Sequence, residues 1–376
     1  MTENKASIKE VKPGLGLILE LKTATDNDKP IYLAGNFNNW EAPDENYRLK
    51  KIDAGHYRFV FPNREILPIP LEYKYLRGNW QQVELDEYSN TTPNRQLWSL
   101  EDRVLDYVPQ WQKDGLDYPA DKLPIIEILS EDFEIPQLIK TRRISVLLPH
   151  NYHKTDQRYP VLYLQDGQNL FDDFAPFGNW AVNKKLAVLT EKGFGDIIVV
   201  AIDHAEEDRI AEFTPSFNTK LGRGDGKKYV RFLANTLKPY VDKHFRTKPG
   251  CKDTGIGGSS MGGLISIYAG FMYPEVYNKL MIFSPSLWVS PTVPFQIINF
   301  EDIPDMKIYL YGGAAEGESM IPNLKRFRET INRQGQARKF DFNLSIDPKG
   351  QHNEARWGEE FPKAVEWLFF NNLGKR

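Results

Sequence analysis

Cysteine is almost missing from this sequence, because its 376 residues include a single one, Cys251. One cysteine cannot form an intramolecular disulfide, and it excludes a zinc site made of several thiolates. An excess of charge of one sign is missing as well, since 48 Lys and Arg stand against 51 Asp and Glu, a net charge of −3. This balance gives no electrostatic reason to expect nucleic acid or an anionic membrane as a partner.

Long hydrophobic runs are also missing. The longest apolar run covers residues 197–202, whereas a membrane-spanning helix requires roughly 18 residues. The first residues, Met1 to Lys5, do not lead into the apolar segment and cleavage site of a secretory signal. These observations favour a cytoplasmic protein that does not act at a membrane.

Aromatic residues, at 13% of the chain, are abundant. In the first third of the chain many lie in short segments that are bounded by Gly, Pro, Asn and Asp, which is typical of strands. The strands predicted there are residues 15–21, 30–35, 57–61 and 71–76. We therefore predict a small all-β, immunoglobulin-like sandwich over residues 1–118, and we interpret residues 101–123 as a linker that lies against a domain.

From about residue 125 the pattern changes to alternating strands and helices. The predicted strands are residues 144–148, 161–164, 197–202, 254–256, 279–283, 306–311 and 340–346. The predicted helices are residues 183–192, 227–244, 261–272, 322–334 and 359–370. Nearly continuous apolar strands that alternate with helices indicate a mostly parallel sheet covered on both faces. We predict an α/β domain over residues 119–376.

The segment Gly-Ser-Ser-Met-Gly at 258–262 matches the G-x-S-x-G pattern of a nucleophile elbow. A predicted strand precedes it and a predicted helix follows it, so that Ser260 would stand at a tight turn at the start of a helix. Small neighbours allow the backbone to take such a turn, and the helix dipole favours negative charge there. Ser260 is the candidate nucleophile.

A serine hydroxyl needs a neighbouring base. His352 is the only histidine that follows Ser260, in the chain order serine, acid, histidine of α/β-hydrolases. The acid that orients it is expected in the loop after strand 306–311, where Glu316 is the first candidate and Glu318 the second, with Asp347 as a further alternative.

An oxyanion requires two backbone N–H donors. One is expected from Met261, directly after the nucleophile, and the other from Gln168, in the loop after strand 161–164. Arg209 and Glu212 are interpreted as part of a structural ion pair rather than as catalytic groups.

Several motifs resemble a known family. They are Pro-Val-Leu-Tyr-Leu-Gln-Asp-Gly-Gln-Asn-Leu-Phe-Asp at 160–172, Lys-Pro-Tyr-Val-Asp at 238–242, Gly-Gly-Ser-Ser-Met-Gly-Gly at 257–263, Phe-Ser-Pro-Ser-Leu-Trp at 283–288 and His-Asn-Glu-Ala-Arg-Trp at 352–357. With them the chain from about 141 to 369 resembles the esterase D-like family of α/β-hydrolases, which includes enterochelin, feruloyl and acetyl-xylan esterases. The resemblance implies an α/β-hydrolase fold and a Ser260, His352 and Glu316 triad. It implies neither a metal nor an organic cofactor, and it suggests that Phe171, Trp288 and Trp357 line or support the acyl pocket.

The first domain resembles starch- and glycogen-binding modules. The similar segments are Leu-Ala-Gly-Asn-Phe-Asn-Asn-Trp at 33–40, Tyr-Lys-Tyr at 73–75 and Gly-Asn-Trp at 78–80. This resemblance implies sugar contacts by Trp40, Lys74, Trp80 and Asn94, because flat aromatic rings suit the apolar faces of sugars. The alternative is that these side chains only pack within the sandwich, and enterochelin esterases also carry an N-terminal sandwich.

The function predicted from the sequence is a serine carboxylesterase that cleaves a small-molecule or oligosaccharide ester through an acyl-enzyme. An acyl-saccharide of the acetyl or feruloyl type is the first choice, with α-glucan as a further ligand of the first domain. A cytoplasmic siderophore esterase, an acyltransferase and a non-catalytic glucan-binding protein remain as alternatives.

Overall fold

The computed structural model describes residues 16–27, 29–112, 118–175, 177–290, 305–334 and 340–370. The chain divides into two compact units, residues 1–118 and residues 119–376.

The first unit consists of short strands. They are β1 (Leu17–Thr23), β2 (Ile31–Gly35), β3 (Lys50–Asp53), β4 (His56–Phe61), β5 (Leu71–Arg77), β6 (Glu84–Leu85), β7 (Arg95–Leu97), β8 (Arg103–Val108) and β9 (Gln110–Trp111). Among the described residues they form a sheet of order β3-β4-β1-β8, a sheet of order β2-β5-β7 and the pair β6-β9. The buried side chains of β1, Leu17, Leu19 and Leu21, alternate along the strand and pack into the core of this unit.

The segment 101–123 is not a linker throughout, because β8 and β9 lie within it. β8 pairs in parallel with β1, and this completes the first sheet. Its apolar side chains Leu105 and Tyr107 are exposed. The strand therefore lacks the alternation of buried apolar and exposed polar residues by which a strand is predicted.

The second unit contains one sheet of eight strands among its described residues. They are β10 (Ile125–Ile135), β11 (Lys140–Leu148), β12 (Val161–Gln165), β13 (Ile198–Ile202), β14 (Thr254–Ser259), β15 (Lys279–Phe283), β16 (Met306–Gly313) and β17 (Phe340–Asp347). The order is β10-β11-β13-β12-β14-β15-β16-β17. β11 pairs antiparallel with both of its neighbours, β10 and β13. Every other neighbouring pair in this order is parallel.

Helices alternate with these strands. They are α1 (Val182–Glu191), α2 (Arg209–Phe213), α3 (Gly226–Phe232), α4 (Lys238–His244), α5 (Ser260–Met272), α6 (Met320–Gln334) and α7 (Glu354–Val365). Two π-helical segments, Leu233–Leu237 and Glu366–Phe370, join α3 to α4 and extend α7.

The carboxyl ends of parallel strands meet at one edge of a sheet, where ligand sites of open α/β folds gather. The chain leaves β12, β14, β16 and β17 at that edge. The segments that follow these strands carry Gln168, Ser260, Glu316 and His352, respectively, with Ser260 directly at the start of α5. The sheet thus brings together residues that are far apart in the sequence.

Candidate active site

The turn between β14 and α5 has the geometry of a nucleophile elbow. Ser260 is the first residue of α5 and has a φ of 54°, in the left-handed region that non-glycine residues seldom adopt. A Cβ on Gly258 would lie 2.9 Å from the carbonyl carbon of Gly262, and a Cβ on Gly262 would lie 2.9 Å from Oδ2 of Asp166. Glycine at 258 therefore allows the end of β14 to approach α5 this closely, and glycine at 262 leaves room for the carboxylate of Asp166.

The hydroxyl of Ser260 lies at the junction of two cavities. Both cavities, of about 400 and 630 Å³, are lined by Ser260 and His352. The Oγ atom of Ser260 lies 3.3 Å from Oγ of Ser286, whose backbone N–H donates to the carbonyl of Ser260 at 3.0 Å. A nucleophile candidate and a base candidate therefore face the same open space.

His352 lies against a carboxylate and an indole ring. Its Nδ1 atom donates to Oε2 of Glu316 at 2.7 Å. The edge of the imidazole meets the ring of Trp357, with centroids 4.8 Å apart and an interplanar angle of 83°. These two contacts fix the orientation of a side chain that is 42% exposed, and they direct its second nitrogen away from the carboxylate.

Glu316 is itself held in place by neutral donors. Its Oε1 atom accepts from the N–H of Gly313 at 2.6 Å and from the hydroxyl of Ser284 at 2.7 Å. The indole N–H of Trp357 donates to the same hydroxyl at 2.9 Å. Since the side chain of Glu316 is fully buried, these bonds leave the carboxylate a single orientation toward His352. Ser284, at the end of β15, was not predicted from the sequence.

The alternative acids are differently placed. Asp347 accepts from Nε of Arg356 at 2.6 Å and from the N–H of Lys349 at 2.9 Å, and Glu318 is exposed. Of the three candidate acids, Glu316 is the one that contacts His352.

The loop after β12 is fastened by an ion pair. Asp166 has a φ of 58°, and Arg209 donates to both of its carboxylate oxygens at 2.6 and 2.8 Å. The next residues, Gly167–Asn169, form a 3₁₀ turn that includes Gln168. The side-chain oxygen of Gln168 accepts from the N–H of His204 at 3.0 Å. Met261 follows Ser260 in the first turn of α5 and lines the smaller cavity, whereas Gln168 lines neither cavity, although its neighbours Asp166 and Asn169 line the larger one.

Arg209 and Glu212 do form ion pairs, although not with each other. Glu212 accepts from Arg142 at 2.8 and 2.9 Å, and burial raises the pKa of its carboxyl. This pair anchors α2, which carries Arg209 at its start.

The two cavities differ in their lining. The smaller one has apolar walls that include Ile210, Leu221, Met261, Trp288 and Met320. The larger one is bordered mainly by polar side chains, namely Asp166, Asn169, His204, Glu206, Arg209, Asn353 and Glu354.

The predicted pocket aromatics are distributed unevenly. Trp288, half-exposed, lines the smaller cavity, and Trp357, almost fully buried, lines the larger one. Phe171 is half-buried and lines neither of them. The exposed Phe177 borders the larger cavity instead. A phenylalanine six residues farther along the same loop thus takes the place that was expected for Phe171.

Of the predicted sugar contacts in the first unit, Trp40 and Trp80 lie against each other. The rings of Trp40 and Trp80 lie 6.3 Å apart, and the indole N–H of Trp80 donates to the carbonyl of Trp40 at 3.2 Å. Lys74 donates to the hydroxyl of Thr92 at 3.3 Å, and burial lowers its pKa. Asn94 is exposed. Trp80 remains 42% exposed, which leaves indole surface available for contact.

In the described part of the chain, no group of three or more His, Cys, Asp and Glu side chains is placed so that it could hold a metal ion. No helix among these residues is long and apolar enough to cross a membrane.

Proteins of known sequence similar to this chain include esterases. An uncharacterized protein of Bacillus subtilis, YbbA, is 23% identical over 244 residues, which cover 61% of this chain and 94% of the relative. An endo-1,4-beta-xylanase/feruloyl esterase of Xylanibacter ruminicola is 24% identical over 243 residues, 61% of this chain and 30% of the relative. A siderophore triacetylfusarinine C esterase of Aspergillus fumigatus is 26% identical over 137 residues, 34% of this chain and 44% of the relative.

Solved structures share the fold. An IroE-like serine hydrolase from Shewanella oneidensis has a TM-score of 0.51 at 19% identity and covers 66% of this chain and 80% of its own. The enterobactin esterase FES from Shigella flexneri has a TM-score of 0.50 at 14% identity and covers 95% of this chain and 94% of its own. The second unit thus has the predicted α/β-hydrolase fold, preceded by an all-β unit.

The family profile described as "Putative esterase" matches residues 136–368, a region that holds Ser260, Glu316 and His352. The chain belongs to this family, and it is a carboxylic ester hydrolase.

Proposed function

We propose that this protein is a serine carboxylesterase in which Ser260 is the nucleophile, His352 the general base and Glu316 the acid partner of the histidine. The observation that carries the proposal is the hydrogen bond from His352 to a buried Glu316, beside a cavity that Ser260 enters from a left-handed turn. A hydroxyl, a histidine base and an acid that orients the histidine form the catalytic triad of many serine hydrolases.

The chemistry follows from these positions. Oγ of Ser260 attacks the ester carbonyl carbon while Nε2 of His352 takes the hydroxyl proton, and Glu316 stabilises the imidazolium that forms. The backbone N–H groups of Met261 and Gln168 donate to the oxyanion. The C–O bond to the alcohol breaks as His352 returns the proton to the leaving oxygen. Water, deprotonated by His352, then attacks the acyl-enzyme, which releases the acid and restores Ser260.

For the substrate, an acyl-saccharide of the acetyl or feruloyl type is the first proposal. The relative in Xylanibacter ruminicola is described as a xylanase and feruloyl esterase. A partly exposed tryptophan pair in the first unit, Trp40 and Trp80, supports sugar as the material recognised, with α-glucan as its proposed ligand.

A siderophore ester is the second candidate. It is favoured by the similarity of nearly the whole chain, 95% of its length, to the enterobactin esterase of Shigella flexneri. The Aspergillus fumigatus relative is a siderophore esterase as well.

Hydrolysis of p-nitrophenyl acetate tests the proposed mechanism. Ser260→Ala and His352→Ala are each expected to lower kcat by at least about 10³-fold, with thermal unfolding close to that of the wild type. Ser266→Ala is the matched control, since this buried serine lies on the same helix and lines neither cavity. It should retain most of the activity.

Covalent labelling tests the same assignment without turnover. A fluorophosphonate probe should label the wild type and Ser266→Ala but not Ser260→Ala. Full activity and labelling in Ser260→Ala would disprove the nucleophile. A panel of methyl ferulate, acetylated xylo-oligosaccharides and a catecholate siderophore ester then ranks the substrates.

A further inference from the structure

Ser260 stands between two cavities that share Arg209 and Ile210 but differ in their carboxylates, since only the larger one is lined by Asp166, Glu206 and Glu354. This difference bears on which esters the site accepts. An ester has two halves, and when its carbonyl carbon lies at Ser260 each half must extend away from that point. The apolar walls of the smaller cavity suit a hydrocarbon portion. The larger cavity offers a polar lining, and its charges are therefore the feature that can discriminate between substrates.

The larger cavity has more negative than positive charge. Its one arginine, Arg209, is occupied by the two hydrogen bonds to Asp166. Glu206 and Glu354 remain, and neither forms an ion pair with any residue that the structure describes. His204 adds no fixed positive charge, because burial lowers its pKa and its Nδ1 accepts from the N–H of Glu206 at 2.8 Å.

Glu354 is the more enclosed of these two carboxylates. It is the first residue of α7, and it is half-buried. Burial is the largest influence and raises the pKa of its carboxyl, and Asp166 acts in the same direction, whereas the backbone N–H of Glu354, His352 and Arg209 act against it. Because burial outweighs the opposing contacts, a cation beside Glu354 would stabilise the charged form of its carboxylate.

An unsatisfied acceptor borders the same space. Asn169 lines the larger cavity with only 6% of its surface exposed. Its amide N–H₂ donates to Oε1 of Glu354 at 3.4 Å, whereas its Oδ1 atom has no hydrogen-bond partner. This oxygen is itself buried, so Asn169 adds a polar group to the wall beside Glu354 and brings no positive charge to it.

We propose that the larger cavity binds an ester half that carries a positively charged amine, with Glu354 as its main recognition residue and Glu206 as a weaker one. This rests on the proposed function, since it places the reacting carbonyl at Ser260. The same charges disfavour carboxylate- or catecholate-bearing esters. Among acyl-saccharides, esters of amino sugars have the required group.

Two pairs of esters, identical in shape and different in charge, test the proposal. Acetylcholine is compared with 3,3-dimethylbutyl acetate, in which the alcohol half differs. Betaine ethyl ester is compared with ethyl 3,3-dimethylbutanoate, in which the acyl half differs. In each pair the ratio of kcat/KM, charged over neutral, is measured for the wild type and the variants. Dividing the wild-type ratio by the variant ratio cancels the intrinsic reactivity of the esters.

Glu354→Gln is expected to lower the charged-over-neutral ratio of kcat/KM by about tenfold in at least one pair. This is the effect expected from removing a charge that lies within several ångströms of the cation. Glu206→Gln should lower the ratio less, since an exposed carboxylate is screened by water. Glu207→Gln is the matched control, because Glu207 is the exposed neighbour of Glu206 and lines neither cavity. It should leave the ratio unchanged.

An unchanged ratio in Glu354→Gln for both pairs would overturn the proposal, as would faster cleavage of an anionic hemisuccinate ester than of its neutral counterpart. Hydrolysis of p-nitrophenyl acetate by the wild type and its loss in Ser260→Ala are measured beside these ratios. If that activity is present and the ratios do not move, the charge recognition fails while the esterase mechanism stands.

Discussion

Two buried glutamates, one in each unit, show how similar carboxylates come to serve different purposes. Glu20, on β1 of the first unit, is only 2% exposed and contacts Arg58, Arg103 and His56. Glu316, in the second unit, has a fully buried side chain and accepts from Gly313, Ser284 and His352. Both carboxylates have several hydrogen-bond donors, but the charges of the donors differ.

Glu20 is held by two permanent cations, Arg58 and Arg103, and by His56. Hydrogen bonds from Arg103, and then from Arg58 and His56, lower the pKa of its carboxyl to about 2 although burial opposes this. The charge of Glu20 is thus committed to the fold. Glu316 has neutral donors on one oxygen, and its other oxygen faces a histidine at a cavity. Its negative charge therefore remains available to an imidazolium that exists only during a reaction.

The largest expected effect comes from removing the charge of Glu316. Glu316→Gln should lower kcat for p-nitrophenyl acetate by about 10³- to 10⁴-fold, because an amide cannot stabilise the imidazolium. The free energy of unfolding, measured by urea titration, should stay close to the wild-type value, so that the loss of kcat does not reflect a loss of folded protein. Glu318→Gln removes the same charge at an exposed position nearby, and it should stay within about twofold of the wild type. A mild effect of Glu316→Gln beside a severe effect of Asp347→Asn would move the acid to Asp347.

Glu20→Gln should show the opposite pattern, with stability affected and activity retained. The expected loss is about 1–2 kcal/mol at pH 7, reduced because Arg58 and Arg103 are partly solvated. Since the pKa of Glu20 is lowered from 4.5 to about 2 in the folded protein, its stabilisation is complete above pH 4.5 and is lost as the pH falls toward 2.

Urea unfolding at several pH values checks this. The wild type and Glu20→Gln should differ most near pH 7 and converge below pH 4.5. The pKa of Asp26 is also about 2 because of Lys51 and Tyr57. Since both proteins contain Asp26, its contribution cancels in the difference between their free energies of unfolding. A difference that stays constant down to pH 2 would contradict the role of the carboxylate charge.

The same comparison explains what the sequence could predict. Ser260 and His352 were proposed from local motifs, and Glu316 from its place after the strand before the last. The structure adds the contact between Glu316 and His352. Ser284 was not predictable, since it follows β15 and meets Glu316 only through the parallel sheet. The pairing of Arg209 with Asp166, across 43 residues, likewise depends on the fold.

The missed strands have a physical reason as well. β8 exposes Leu105 and Tyr107, and β10 contains register shifts between Ile128 and Phe133. Both features disturb the alternation from which strands are predicted. Phe171 illustrates a further limit, because a loop composition does not determine which of several phenylalanines borders the cavity.

The smallest expected effect concerns whether the first unit also recognises a ligand. Trp40→Ala combined with Trp80→Ala should weaken the binding of amylose or glycogen by about fivefold to tenfold, as the loss of aromatic stacking on sugar rings would. Trp98→Ala is the matched control, since this tryptophan is 70% exposed and lies outside the Trp40 and Trp80 pair. Affinity electrophoresis in glycogen measures the change, and p-nitrophenyl acetate hydrolysis should be the same in all variants. Equal retardation of the wild type and the double variant would mean that the tryptophan pair only packs within the first unit. The pair would then contribute to stability, as Glu20 does, and not to the binding of a ligand.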